Sequence, residues 1–281
     1  MYLRPQNLDD ALEILGDGAR VLAGATDLLP AAGELGLDGA FVDISRLQSL
    51  KSISRDGQSV RIGGAATWSE IARADLPPAF AALKAAAREI GGLQIQNRGT
   101  LAGNLCNASP AADGVPPLLA LDAELELASH RGRRRLPLRD FLLGARKTAL
   151  APGELLTGIV CPMPPENLRS AFFKLGARRY LVISIAMVAV AMKIAEGVAR
   201  DVRIAVGACS ATAMRLPAAE ARLTGAPAND GFGDLLCPED FDALTPIDDV
   251  RARADYRRAA ALELTRRAAR ACVNGESGGI V

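Results

Sequence analysis

From Gln94 to Leu121 the chain is dense in Gly, Asn, Ser and Pro, yet Arg98 and Asp113 are its only charged residues. Solvent-facing loops carry more charge than this. The combination predicts a buried, irregular segment wrapped around something polar, because long irregular loops in compact domains are usually functional. The rival reading is a well-packed loop whose polar groups satisfy its own backbone. Within the segment, Asn97-Arg98-Gly99-Thr100-Leu101-Ala102-Gly103-Asn104-Leu105-Cys106-Asn107-Ala108-Ser109-Pro110-Ala111-Ala112-Asp113 strings together small residues, amide and hydroxyl donors and one carboxylate. A diphosphate needs such a set: backbone N–H groups and hydroxyls, with few side chains in the way. Thr100, Ala102, Gly103, Asn104, Cys106 and Ser109 are candidate contacts, and Asp113 is a candidate acceptor for a ribose or ribityl hydroxyl.

Two further stretches carry chemistry. Leu22-Ala23-Gly24-Ala25-Thr26-Asp27-Leu28 reads as a strand running into a small-residue turn, where successive N–H groups can form an anion nest and Thr26 adds a hydroxyl. An ordinary turn is the bland alternative. Phe172-Phe173-Lys174-Leu175-Gly176-Ala177-Arg178-Arg179-Tyr180-Leu181 offers Lys174 as a charge beside electron-rich or anionic ring atoms, and Tyr180 as a side chain that could lie against a ring face. A solvated turn before a strand is the alternative there. Common nucleotide motifs do not compete. GxxxxGK[ST] does not occur, and Gly16-Asp17-Gly18 precedes its strand instead of following one, which fails the context a dinucleotide fingerprint requires.

Composition narrows the function classes. With 281 residues the chain makes one or two domains, and 49% hydrophobic residues supply a large core. Lys+Arg at 33 against Asp+Glu at 32 leaves no basic excess for nucleic acid, so a small-molecule site or a protein partner fits better. Cys106, Cys161, Cys209, Cys237 and Cys272 are odd in number, widely spaced and free of any CxxC, which supports neither zinc nor a cysteine-ligated cluster; no metal site is expected. They read as reduced thiols of a cytoplasmic protein. Met1-Tyr2-Leu3-Arg4-Pro5 lacks the apolar core of a signal peptide, and the longest apolar run, Leu181 to Met192, falls short of the roughly 20 residues that cross a bilayer. A soluble chain is expected.

The periodicity gives the organisation. Leu8, Leu12 and Leu15 sit at helical spacing behind Asn7 as N-cap, and strands are predicted at 20–23 and 40–44. Residues 50–53 and 59–62 alternate around Gly57, so the first sixty or so residues form a small β-α-β unit. Helices are predicted at 68–74 and 79–90, the second opened by Pro77-Pro78 and stopped by Gly91-Gly92. Strands follow at 124–128 and 155–160, with Arg131 to Arg135 as a basic turn and Pro162, Pro164 and Pro165 as a linker. Beyond it, apolar runs at 185–194 and 201–208 are joined through Glu196-Gly197, a hairpin signal, and helices are predicted at 218–223 and 255–272. Strands then helices point to an α+β C-terminal domain. Arg251, Arg253, Arg257, Arg258, Arg266, Arg267 and Arg270 give the last helix a basic face; a solvated face is the plain reading, a partner-docking surface the sharper one.

Taken together, the stretches resemble the FAD-binding subunits of the xanthine dehydrogenase and carbon monoxide dehydrogenase family, from Leu3-Arg4-Pro5 to the C-terminal helix. The most specific parts are Gln96 to Asn104 and Ser109-Pro110-Ala111-Ala112-Asp113, with Lys174 to Arg179, Asp249-Val250-Arg251-Ala252 and Tyr256-Arg257-Arg258 also matching. The resemblance implies an α+β chain: a two-subdomain PCMH-type (vanillyl-alcohol-oxidase type) FAD-binding domain over residues 1–165, its subdomains about 1–58 and 59–165, then a smaller domain over 168–275 of antiparallel sheet plus helices. It implies that Ala23 to Asp27 and Thr100 to Asn104 hold the FAD diphosphate. Asp113 would contact FAD hydroxyls, Ile159 would touch the cofactor from its strand, and Lys174 would stand beside the flavin. Two departures occur: Ala25 and Ala102 stand where the family motifs carry glycine.

The family role implies electrons passing from a molybdopterin-containing large subunit through a [2Fe–2S] small subunit to FAD on this chain, then to NAD, oxygen or a quinone. No catalytic acid, base or nucleophile is assigned, and His130 reads as a solvated histidine in the basic turn. The competing functions are a stand-alone flavin oxidase, which usually needs a larger substrate domain and often a His or Cys link to flavin, and a binding or assembly module without flavin.

Overall fold

A computed structural model describes residues 1–280 of the chain. Three sheets carry it. The first is parallel, with Phe41–Asp43 between Tyr2–Leu3 and Arg20–Leu22. Its crossover helix, Leu8–Gly16, starts at Asn7, whose side chain accepts from the Asp10 N–H, and it buries Ala11, Leu12 and Leu15. The hairpin of Ile53–Arg55 and Ser59–Gly63 does not join this unit. It pairs into the second sheet, because Ser59–Gly63 lies antiparallel to Leu155–Pro162. The β-α-β unit therefore ends before residue 53.

The second sheet places Leu155–Pro162 at its centre, with Glu124–Ser129 and Gly132–Pro137 beyond it. Arg133, Arg134 and Arg135 thus sit on a paired strand, not in a turn; the turn is confined to the Ser129–Gly132 link. The helices Trp68–Arg73, Ala81–Glu89, Leu101–Asn107 and Val115–Ala120 pack with this sheet around one core that includes Trp68, Phe80, Leu101, Leu118, Phe141 and Ile159. The stretch from Gln94 to Leu121, expected to be irregular, is partly helical. Thr100 caps Leu101–Asn107 by accepting from the Gly103 N–H at 3.0 Å, and Leu101 and Leu105 bury one helical face.

The third sheet runs Met214–Arg215, Val198–Gly207, Ala186–Ala195, Leu168–Leu175, Gly278–Ile280. Leu168–Leu175 is a strand, so the start of the Phe172 to Leu181 stretch is no solvated turn, and Lys174 is 2% exposed. The hairpin at Glu196-Gly197 has φ of +53° and +72°, the paired left-handed geometry that a two-residue turn demands. Ser170 ties this sheet to the preceding domain: its hydroxyl accepts from Ala82 N at 2.9 Å and donates to Ala79 O at 2.7 Å, in full burial. No described helix is long and apolar enough to cross a membrane.

The helix Ala254–Asn274 covers the third sheet, and its arginines are largely spent inside the domain. Arg258 and Arg266 donate to the carbonyls of Leu244 and Leu236, and Arg270 pairs with Asp234. Arg257 is buried; it donates to Ile185 O and Ala208 O and pairs with Asp249 at 2.6 Å. Hydrogen bonds from Arg251, with further help from Arg257, hold the Asp249 carboxyl well below the usual carboxylate range. Arg257→Met should cost about 1–3 kcal/mol, since it strands two carbonyls, one of them on buried Ile185, while Asp249 keeps Arg251. The check is the urea midpoint, and a parent-like value would show the clasp to be idle. Because the folded carboxyl is depressed, its contribution is complete above about pH 4 and drains away as pH falls below that. Asp249→Asn should therefore flatten the acid limb of a stability–pH curve.

Candidate functional site: a cleft between the first two sheets

A cleft of about 560 Å³ separates the parallel sheet from the second sheet. One wall is the turn after Arg20–Leu22, from Ala23 to Leu28; the other is Gly99 with the helix that follows, through Asn107. The two walls touch through backbone. A Cβ on Gly24 would lie 2.0 Å from the Arg98 carbonyl oxygen, and one on Gly99 would lie 3.3 Å from Thr26 Oγ1. No residue larger than glycine fits at 24.

The donors of this cleft are largely unclaimed. Among the described residues, the backbone N–H groups of Gly24, Ala25, Thr26 and Asp27 have no acceptor in the protein. Asn104 Oδ1 is buried with no donor. A buried polar group left alone costs about 1–3 kcal/mol, which marks Asn104 Oδ1 as waiting for a donor, while the four amides sit in partly exposed backbone that an anion can reach from the cleft. Four free amide dipoles suit an anion and an unpartnered amide oxygen suits a hydroxyl or a ring N–H. The residues present fit a dinucleotide.

Ala25 has φ of +60°, in the left-handed region that favours glycine. The methyl's cost there is backbone strain. At Ala102 the position is an ordinary helical one, 6% exposed, where alanine is a better helix former than glycine.

Of the residues singled out from the sequence, Ala23, Gly24, Ala25, Thr26, Asp27, Leu28, Thr100, Ala102, Gly103, Asn104 and Cys106 line this cleft. The other six do not. Leu22 ends its strand in the core, and the Ser109 hydroxyl accepts from Ala111 N at 3.2 Å within a turn. Ile159 is fully buried between Ile62 and Leu125; Leu155 and Leu156, earlier in the same strand, reach the cleft instead. Tyr180 is 67% exposed, with the Arg179 guanidinium 5.4 Å from its ring centre.

Asp113 and Lys174 meet each other. Lys174 Nζ donates to Asp113 Oδ2 at 2.6 Å and Ser184 Oγ donates to Asp113 Oδ1 at 2.5 Å, all three being buried. Burial pushes the Asp113 carboxyl up, against the pull of Lys174 and Ser184. Burial likewise raises Glu89, which lies in the field of the same pair. The triad joins the C-terminal sheet to the loop after the cleft helix, so these two residues brace the site from behind.

Sequence reasoning missed Trp68, Ile90, Ile95, Arg146, Leu150 and Glu154 on the cleft wall. Ile90 and Ile95 flank Gly91-Gly92, which was read only as a helix stop. Arg146 lay in a stretch without a motif, and nothing local marks it except the short Gly144 to Lys147 link.

Two sheets, a small-residue cleft with free amide donors and a third sheet braced against it make a dinucleotide-binding protein. Known proteins agree with that class. Residues 1–164 match the family model described as the FAD binding domain in molybdopterin dehydrogenase, and residues 171–272 match the CO dehydrogenase flavoprotein C-terminal domain. The nicotine 6-hydroxylase medium subunit of Paenarthrobacter nicotinovorans is 32% identical over 273 residues, covering 95% of this chain and 94% of that one. A xanthine dehydrogenase FAD-binding subunit of Escherichia coli O157:H7 is 34% identical over 263 residues, 91% of this chain and 90% of that one. Among solved structures, carbon monoxide dehydrogenase from Hydrogenophaga pseudoflava superposes with a TM-score of 0.87 at 28% identity, covering 98% of both chains. Quinoline 2-oxidoreductase from Pseudomonas putida 86 gives 0.87 at 26%, covering 98% and 96%. The chain belongs to the FAD-binding family of the molybdopterin dehydrogenases, and its cofactor is FAD.

Gly24→Ala should lose FAD, whereas Ala25→Gly should keep it and gain up to about 1 kcal/mol, the relieved strain less the extra unfolded-state entropy of glycine. Flavin absorbance after gel filtration and urea unfolding read the two effects. Loss of stability in Ala25→Gly would contradict the strain. For the buried pair, Lys174→Met should destabilise by about 3–5 kcal/mol by isolating Asp113, and the double variant Asp113→Leu with Lys174→Met should recover much of that. Purely additive losses would mean that the two side chains act apart.

Proposed function

We propose that this chain is the flavin-carrying, electron-transferring subunit of a heteromeric molybdenum hydroxylase. In this reading it sits in the cytoplasm with a molybdopterin-containing large subunit and a [2Fe–2S] small subunit, and it hands electrons to an external acceptor such as NAD, oxygen or a quinone. The observation that carries the reading is the cleft of unclaimed amide donors in a chain matched along nearly its whole length by medium and FAD-binding subunits. Five free thiols support a reducing compartment.

Bound FAD would supply the redox chemistry, accepting and releasing electrons at its ring. The chain's own residues bind and orient. The amides of Gly24 to Asp27 would hold the diphosphate, with Thr100 to Asn104 opposite. Trp68, Ile90 and Ile95 would give the ring a dry wall. No group in the cleft is required to move a proton. Cys106 lines it, but burial pushes its thiol up to about 12, so it stays protonated and is a poor candidate for a covalent flavin link. His130, the chain's single histidine, packs against Gly16. Both facts count against a stand-alone oxidase.

Purified from cells that also express its genomic neighbours, the chain should carry flavin absorbance and co-elute with two other polypeptides bearing molybdopterin and iron–sulfur centres. Purified alone, it should not oxidise simple alcohols. Turnover by the isolated chain would refute the subunit reading, and a chain that takes up no FAD would refute the cofactor role as well.

A further inference from the structure

Arg146 is the one arginine on the cleft wall among the described residues. It sits in the tight link between the strands Leu142–Gly144 and Lys147–Thr148, with φ of +60°. Its N–H donates at 2.8 Å to the carbonyl of Ala108, itself left-handed at φ +45°. Its Nη1 donates to the Asn107 carbonyl at 3.2 Å and to Asn107 Oδ1. One edge of the guanidinium is thus clamped, while Nε and Nη2 have no partner among the described residues. The only carboxylate on the same wall apart from Asp27, Glu154, is held by Arg134 through both oxygens. A glycine would make this turn at lower cost, so an arginine held there in a strained backbone points to work for its side chain.

Its place along the cleft says what that work is. The helix Leu101–Asn107 runs along the cleft and, at seven residues, spans about 10 Å. Gly99, Trp68, Ile90 and Ile95 gather near its start, and Ile90 follows Glu89, which lies in the field of the buried Asp113–Lys174 pair. Arg146 stands at its end, on Asn107. A flavin dinucleotide has two flat ring systems separated by a diphosphate, so each end of such a cleft takes one ring.

We propose that Arg146 is the positioning residue for the adenosine half of FAD: its clamped guanidinium plane stacks on the adenine, which directs the isoalloxazine to the Trp68, Ile90 and Ile95 end. A planar, delocalised cation stacks on an aromatic face; a lysine ammonium, compact and strongly hydrated, does not reproduce that contact. This rests on FAD occupying the cleft.

The test uses the full chain stripped of flavin, titrated with FAD and with FMN by flavin fluorescence, and with ADP by displacement of FAD. Arg146→Ala and Arg146→Gly, the latter at ease with the left-handed backbone, should each weaken FAD and ADP by roughly 3- to 30-fold while FMN affinity stays within about twofold of the parent. Arg146→Lys should recover little of the loss. Unchanged FAD and ADP affinity, or an equal loss for FMN, would overturn the assignment. Full rescue by lysine would overturn it too, since that would make Arg146 a plain charge for the diphosphate. A parent chain that binds no FAD would instead bring down the cofactor reading beneath it.

Discussion

Two main chains meet at Gly24, the turn after one strand and the link between two short helices, and the site exists because they do. With a Cβ at that position only 2.0 Å from the Arg98 carbonyl, the turn after Arg20–Leu22 can approach Gly99 only without a side chain. That approach brings the four unclaimed amides of Gly24 to Asp27 opposite the helix that Thr100 caps. Neither wall binds an anion convincingly alone: a short turn of small residues is common, and so is a capped helix. Their juxtaposition at van der Waals distance turns two ordinary pieces into a narrow cradle of fixed dipoles, where an anion needs no reorganisation of the protein on arrival.

Among the described residues, three of the nine left-handed ones other than glycine stand around the same cradle. Ala25, Ala108 and Arg146 are all left-handed without being glycine. Each such residue costs on the order of 1–2 kcal/mol. The expense is tolerable because the surroundings over-determine the backbone: Leu29 N binds Ala25 O at 3.1 Å, and Arg146 N binds Ala108 O at 2.8 Å. These bonds lock the turns, so the cleft keeps its width in the absence of any conformational help from a ligand.

The periodic parts of this architecture were legible in the residues. Asn7 capping a helix, the Glu196-Gly197 hairpin and the long last helix all follow from local chemistry, and their structures match it. The two small-residue stretches could also be read as binding walls, because a run of Gly and Asn with so little charge suits close contact with a polar ligand better than contact with solvent. What could not be read was distance. Ile159 and Leu156 belong to one buried strand, and strand phase alone does not say which of them reaches a cleft. Asp113 and Lys174 are separated by 61 residues, and each looked like a cofactor contact because an isolated charge in an apolar stretch asks for a partner; that they answer each other is a tertiary fact. The arginines of the last helix misled in the same way, since a cationic stripe in sequence does not reveal the carbonyls of Leu236 and Leu244 waiting beneath it.

The buried triad also bears on how the chain can serve in electron transfer. A carrier needs its ring held at a fixed distance from its donor, since positioning is the protein's main contribution to a cofactor's chemistry. Asp113 belongs to the loop that follows the cleft helix, whereas Lys174 and Ser184 belong to the third sheet and the segment that leads into its next strand. Ser170 adds a second buried tie to the helix Ala81–Glu89, whose end runs into Ile90 on the cleft wall. Breaking either tie would leave uncompensated polar groups in the interior, at a cost that hinge motion between domains does not ordinarily meet. The C-terminal domain is thereby fixed to the cleft at its apolar end. A partner that docks on that domain docks at a set position relative to the ring, and the transfer distance becomes a property of the fold, not of a loop's momentary conformation.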